Sequence, residues 1–451
     1  MSFSILEAAR DCGSLPALIH DGLTLSFEEL SRRVGARLRQ LEAAGGAGDR
    51  PIAFVAEPTP DAVSSLLALV EARVPAVPLH PRWSEADRDA MLRETGAALW
   101  TGGQLARDES VPAPRWPAQA RPLALLRTSG STGAGKVALM NERSFISACD
   151  ASARRLGWHG DDRWLLALPF AHVGGLSLLL RCLRARRAVV LGEATLALLA
   201  RERVTIASFV PTQLARLLHG GERPPPSLRI ALVGGGPCTP ELARRARALS
   251  WPIRLTYGLT ETCAQVATQA GDEPADDASC GPPLDGCELR VSGGVLEVRS
   301  PTLFAGYWRE GTCLRATDED GWFRTGDLGR IDHAGRVHVL GRLDEAIITG
   351  GEKVAPGTVE SAVARATGAQ FACAFGVDDA EWGQRVAVVV QSDEPWDSLA
   401  ARLASGLEEL SPYERPGLLA VLAELPLATG GKLDRRRLRA ACEKLLRPLR
   451  T

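Results

Sequence analysis

Residues 128–137 read TSGSTGAGKV, and the residue types in that run are those that hold phosphate oxygens. Glycines let successive backbone N–H groups turn toward one point. Around Gly130 and Gly133, the hydroxyls of Thr128, Ser129, Ser131 and Thr132 add donors, and Lys136 adds a positive charge. Read from Gly130, the run is G-x-x-x-x-G-K, the phosphate loop of an NTPase without its last letter. That loop needs a Ser or Thr hydroxyl after the lysine to hold Mg²⁺; the position is Val137. It also leads straight into a helix, and the following VALMNERS gives no clear one. Taken alone, the run also reads as a Gly/Ser surface turn.

Four further clusters follow in order: TYGLTET (Thr256–Thr262), WFRTGDLG (Trp322–Gly329), GRLDEAIITGGEKVAP (from Gly341) and LATGGKLDRRRL, which contains Lys432. With the first run they resemble the signature motifs of the adenylate-forming superfamily: acyl-CoA synthetases, peptide-synthetase adenylation domains and luciferases. The resemblance extends from about Thr128 to Lys432 and departs at Gly135, where the family has Pro. Upstream of it only a strand–helix pattern fits.

The resemblance implies the roles. Tyr257 stacks on adenine, Thr260 hydrogen-bonds the α-phosphate, and Glu261 offers a hard oxygen to Mg²⁺, which takes one or two carboxylates and keeps several waters. Asp327 accepts from the ribose hydroxyls, and Arg342 assists there. Asp344 is the hinge between a large and a small domain. Lys432 reaches the reacting centre during adenylation, and after rotation of the small domain Gly350 and Gly351 approach the pantetheine of coenzyme A. The substrates and cofactors implied are a carboxylic acid, ATP, Mg²⁺ and CoA. Without the resemblance, Asp344 is a turn residue and Lys432 one more cation beside Arg435, Arg436 and Arg437.

The acid itself bears on LPFAHVGGLSLLLRCL (Leu168–Leu183). His172 falls where the family places an aromatic or His gate; its plain reading is a satisfied, partly buried histidine. Arg181 interrupts an apolar helix face with Ser177 one turn before it. Arginine suits bidentate binding of a carboxylate, but Arg181 also begins the basic run Arg184, Arg186, Arg187, and the residues alone leave both readings open. This segment, ASFVPTQLARLL and LVGGGPCTPEL resemble the acid–CoA ligases of menaquinone biosynthesis, whose substrate is an aromatic dicarboxylate. That resemblance makes Arg181 the anchor for the non-reacting carboxylate and lines the acyl pocket with Ser177, Ser208, Thr212 and Gly234, Gly235 and Gly236. Another aryl- or acyl-CoA ligase, an enzyme loading a carrier protein, and an NTPase or idle nucleotide-binding module stay open as alternatives.

These residues need a scaffold, and the pattern supplies one. From about Pro51 apolar strands alternate with amphipathic helices: PIAFVAE then DAVSSLLALVEAR, AVPLHP, RWLLALPFAH then GLSLLLRCLRARR, TIASFVPTQLARLL, RIALVGGGP then TPELARRARAL. That alternation predicts α/β layers with largely parallel sheets. CELRVSGGVLEVRS and GRIDHAGRVHVLGR read as hairpins and predict a small β-barrel-like part. A small mobile α+β lid follows: a helix from about Pro356, strands at QFACAFGV and RVAVVVQ, then helices to the end. The boundary predicted is a large AMP-binding domain over 1–343 and the lid over 344–451. PAPRWPAQARP reads as a surface connection.

The formal net charge is −1, so no global basic field draws nucleic acid or anionic membrane. No apolar stretch reaches the length of a membrane span, and MSFSILEAARDCG has no basic segment before an apolar run. The ten scattered cysteines form no C-x-x-C and predict reduced thiols in a cytoplasmic protein. Homo-oligomerisation is left open.

Overall fold

The computed structural model describes residues 2–46, 50–101, 103–107, 114, 116, 122–128, 135–271, 276–426 and 433–449. Two eight-stranded sheets form the large part. The first runs Ala264–Thr268, Ile253–Leu259, Ile230–Val233, Ile206–Phe209, Arg163–Leu166, Ala188–Leu191, Pro16–His20, Leu23–Ser26. Its inner neighbours pair parallel and its two end pairs antiparallel. Parallel strands are covered on both faces, which is why they read as unbroken apolar runs such as IALV and AVVL. The second sheet runs Thr312–Leu314, Gly306–Arg309, Val137–Asn141, Pro122–Arg127, Ala76–Leu79, Ile52–Val55, Ala98–Thr101, Gln104–Ala106.

Helices Pro60–Glu71, Glu142–Leu156 and Val173–Ala185 share one apolar cluster with strands of both sheets. Pro60–Glu71 starts cleanly: Thr59 caps it through the Ala62 N–H, and Pro60 takes the first position, where its missing donor costs nothing. Val173–Ala185 is buried from Gly175 to Leu183, as expected of a helix packed on all sides.

The expected barrel-like part takes the form of a four-stranded antiparallel sheet, Glu288–Ser292, Val295–Arg299, Phe323–Ile331, Val337–Arg342. Beyond it a separate apolar cluster spans Ile347 to Leu419. Helix Pro356–Thr367 and the hairpin Ala372–Asp379/Gly383–Gln391 belong there. The segment expected to be wholly helical after that hairpin contains a strand, Leu418–Leu422, parallel to Gly383–Gln391. LLAVL is too short for periodicity to separate strand from helix, and pairing in the sheet decides it.

The two parts touch closely. A Cβ on Gly357 would lie 2.7 Å from the Leu340 carbonyl oxygen, so only glycine fits there. Thr239 Oγ1 donates to the Gln370 carbonyl at 2.7 Å. Among the described residues no helix is long and apolar enough to cross a membrane. PAPRWPAQARP lies almost wholly outside the described residues, apart from Pro114 and Trp116.

Candidate active site

The glycine-rich run is the connection between two antiparallel strands, Pro122–Arg127 and Val137–Asn141. Its base is closed by Thr128 N–H donating to the Lys136 carbonyl at 2.8 Å and Lys136 N–H to Thr128 Oγ1 at 3.2 Å. The next helix, Glu142–Leu156, starts only after the second strand. An NTPase phosphate loop passes from strand to helix and uses the helix N-terminus; here that terminus is five residues beyond Lys136 at the other end of a strand, so the NTPase reading is excluded on topology. Ser129, Gly130, Ser131, Thr132 and Gly133 lie outside the described residues.

The departure at Gly135 has a physical account. A Cβ there would lie 2.4 Å from the Thr128 carbonyl oxygen and 2.9 Å from Arg127 Cγ. Arg127 is held in that place by Asp87 at 3.0 Å and by the Trp83 ring, 5.5 Å from its guanidinium carbon. The arginine stem fills the space a proline ring would need.

Strand Ile253–Leu259 ends in a single 3₁₀ turn, Thr260–Thr262, which turns Thr260 and Glu261 out at the edge of the first sheet. Tyr307 OH donates to Glu261 Oε1 at 2.8 Å, and Lys136 Nζ sits 4.7 Å from the centre of the same Tyr307 ring. Burial, then the Glu261 charge, push the Tyr307 phenol well above its ordinary pKa, so it stays a donor. Tyr307 thus joins the first motif to the second. Nothing local to Glu261 signals it, since 46 residues separate the two.

Asp327 and Arg342 face each other across neighbouring strands. Arg342 Nη1 donates to Asp327 Oδ1 at 2.8 Å, Tyr257 OH donates to Oδ2 at 2.7 Å, and Arg342 Nε lies 3.4 Å from Asp344. Burial works against the Arg342 charge, and Asp327 and Asp344 more than offset it. Tyr257 is itself buried, with burial first and Asp327 second raising its pKa. In this arrangement its hydroxyl holds the carboxylate expected at the ribose.

The residues expected at the acyl pocket come from neighbouring elements of the first sheet and its helices. Ser208 stands in Ile206–Phe209, one strand over from Ile230–Val233, which delivers Gly234, Gly235 and Gly236 at its C-terminal end. A Cβ on Gly234 would meet Thr256 Cγ2 at 2.7 Å, and Gly235 has φ +75°, so both positions require glycine. Thr212, half-buried, is in the helix Pro211–Leu217 that follows Ser208. Trp164 Nε1 donates to Ser208 Oγ at 3.0 Å, and the Arg181 guanidinium carbon lies 5.9 Å from the Trp164 ring centre. Arg181, Trp164 and Ser208 therefore form one cluster; Ser177, a turn before Arg181, instead donates to its own helix at the Gly174 carbonyl.

Arg181 is 5% exposed, and its Nε and Nη2 are buried with no hydrogen-bond partner among the described residues. Burial pulls its pKa down, while Cys149, Cys182 and Cys263 are its ionisable neighbours. Burial drives all three thiols up, Cys149 to about 12, so they are neutral and leave the arginine charge uncompensated. A buried charge without partners is expensive unless a ligand supplies them.

His172 stands at the N-cap of Val173–Ala185 without making a side-chain cap bond. Its ring centre lies 5.4 Å from that of His80, at the C-terminal end of strand Ala76–Leu79. Sequence reasoning missed His80, Trp164 and Tyr307. Gly350 and Gly351 form the turn between Ile347–Thr349 and Glu352–Val354, with φ +58° and +83°. Lys432 lies outside the described residues. Ser208, Gly234–Gly236 and Thr260 stand near or just beyond the carboxyl ends of parallel strands, where open α/β sheets bind ligands, whereas Asp327 and Arg342 come from the antiparallel sheet.

The sequence matches the AMP-binding enzyme family over residues 6–111 and 99–308, and the AMP-binding enzyme C-terminal domain over 358–432. A 2-succinylbenzoate–CoA ligase of Bacillus velezensis is 35% identical over 332 residues, 70% of this chain and 68% of that protein. Among solved structures, o-succinylbenzoate CoA synthetase from Bacillus subtilis in complex with its acyl-adenylate intermediate superposes with TM-score 0.83 at 28% identity, covering 97% of this chain and 98% of that one. The same Bacillus subtilis enzyme with ATP and magnesium ion gives TM-score 0.82 at 27% identity, over 96% and 98%. With a mixed α/β large part, its own small C-terminal part and the motifs seated as described, this chain belongs to the AMP-binding enzyme family.

Proposed function

We propose that this chain is an ATP-dependent 2-succinylbenzoate–CoA ligase of menaquinone biosynthesis. The acid's carboxylate oxygen attacks the α-phosphorus of ATP and pyrophosphate leaves. The CoA sulfur then attacks the acyl carbon and AMP leaves. The barrier in the first step is charge and alignment, and the chain's residues address both.

Asp327, held by Tyr257 and Arg342, accepts from the ribose hydroxyls, and the Tyr257 ring stacks on adenine. Thr260 donates to the α-phosphate. Thr128, Lys136 and the run between them bind the outer phosphates. Glu261 forms no ion pair among the described residues, which fits a carboxylate reserved for a hard divalent cation; Mg²⁺ bound there would neutralise phosphate charge. Lys432 delivers a cation to the reacting oxygens from the small domain. Asp344 is the pivot of the division between 1–343 and 344–451, about which Gly350 and Gly351 come to the pantetheine. His172 gates the acyl side, lined by Ser177, Ser208, Thr212 and Gly234–Gly236.

The observation that carries the choice of acid is the Arg181 guanidinium beside Trp164, whose buried Nε and Nη2 have no hydrogen-bond partner among the described residues. A second carboxylate on the substrate supplies them. Charge-assisted hydrogen bonds of this kind contribute about 1.5–3 kcal/mol. Arg181→Ala should therefore raise KM for 2-succinylbenzoate about ten- to hundred-fold, with KM for a monocarboxylic aryl acid unchanged. Pyrophosphate release measured across aromatic and aliphatic acids checks both points. An unchanged KM for the dicarboxylate rejects the anchor, and orthophosphate in place of pyrophosphate rejects the ligase.

A further inference from the structure

His80 is 1% exposed, and one edge of its ring is engaged: the Arg82 N–H donates to Nδ1 at 3.1 Å. An imidazole that accepts at Nδ1 carries its proton on Nε2. That Nε2 is buried and has no hydrogen-bond partner among the described residues. Burial first, then Arg82 and Arg88, lower the His80 pKa to about 4, so the ring is neutral and Nε2–H is a fixed donor. A buried donor left without an acceptor is destabilising, which points to a partner in some other state of the protein.

The ring beside it is that of His172. The rings are 5.4 Å apart between centres and inclined by 41°. At that separation, two imidazoles turned edge to edge bring facing nitrogens to about 3 Å, a hydrogen-bond distance. The two histidines come from different sheets: His80 ends a strand of the second, and His172 leads from a strand of the first into Val173–Ala185.

We propose that His80 is a positioning residue for the gate: its Nε2–H donates to a ring nitrogen of His172 when the acyl site is filled, fixing that imidazole's orientation and tautomer. This rests on the reading of His172 as the acyl-side gate. A purely local role for His80, holding its own turn through the Arg82 N–H, is the competing account, and the two separate cleanly by substitution. Asn places its amide near the Nδ1 position and keeps the turn bond; Gln reaches toward the Nε2 position and keeps the outward donor.

The test is a set of single and double variants in the full chain, with adenylation followed by acid-dependent pyrophosphate exchange and folding by thermal melting. His80→Asn should melt close to the parent and lose about ten-fold in kcat, and His80→Gln should recover most of that loss. In a His172→Ala background, His80→Asn should have no further effect, because residues acting as one unit are not additive. In ¹⁵N-histidine-labelled protein, His80→Asn should change the His172 ring-nitrogen signature when substrate binds. An Asn variant as active as the parent, or equal losses in the presence and absence of His172, overturns the proposal. A His172→Ala variant with parental activity overturns the gate reading itself, which is a separate outcome.

Discussion

Gly135 shows how one position can differ from a family pattern for a local steric reason. The space of a proline ring is taken by the Arg127 stem, which Asp87 and Trp83 hold in place. Restoring the family residue should therefore harm this protein. Gly135→Pro forces a carbon to within 2.4 Å of the Thr128 oxygen, at the bond that closes the base of the phosphate loop. We expect a lower melting temperature and a several-fold higher KM for ATP. Arg127→Ala in the same chain should recover part of both, which relief of the Arg127 contact requires and general loop stiffening does not.

The same scale separates what was readable from what was not. Asp327, Arg342 and Glu261 stand in short runs that resemble family motifs, and that resemblance singled them out; Arg181 drew notice by interrupting an apolar helix face, but its residues alone left its role open. Tyr307 and Trp164 gain their roles from partners 46 and 44 residues away, joined by sheet pairing and packing. His80 sits in AVPLHP, where nothing local distinguishes a gate neighbour from a turn residue.

At the scale of elements, alternation of strand and helix made the two large sheets legible, because each parallel strand is a short apolar run bounded by loop residues. The strand Leu418–Leu422 was not, since the run alone fits a buried helix and only its partner Gly383–Gln391 decides. The turn at Gly350 and Gly351 illustrates a finer point. Both residues have positive φ, yet a Cβ on Gly350 would meet the Trp382 ring at 2.9 Å whereas one on Gly351 meets open space. Left-handed backbone costs a side chain about 1–2 kcal/mol at either position. Gly350→Ala adds a clash and should displace Trp382, so thioester formation from supplied acyl-adenylate should fall well below that of Gly351→Ala. Pyrophosphate exchange should be near parental in both. Matched losses in the two variants would reject the distinction.

At the scale of the whole molecule, two sets of ion pairs bear on the proposed pivot: one that spans it and one that lies wholly beyond it. Arg342 bonds Asp327 and lies 3.4 Å from Asp344, so the rotation proposed at Asp344 would remake that contact. Arg435 is different. It begins the helix Arg435–Cys442, three residues after Lys432, and it bonds Glu360 at 2.6 Å and Glu345 at 3.3 Å. Burial raises the Glu345 pKa while Arg435 opposes that rise, and Glu360 is 3% exposed. All three lie beyond Asp344, so on the proposed division they form a brace that travels with the small domain, and the point to test is whether it positions Lys432. Removing one partner of a buried pair leaves an uncompensated charge and costs about 3–5 kcal/mol. Arg435→Met should lower the melting temperature and slow pyrophosphate exchange more than thioester formation from supplied acyl-adenylate, because on the proposed roles only the first step uses Lys432. Arg435→Lys keeps a charge but not the fork that reaches two carboxylates, and it should fall between the two. If Arg435→Met reduces both half-reactions by the same factor, the brace stabilises the domain without positioning Lys432, and the pivot alone must account for where that lysine goes.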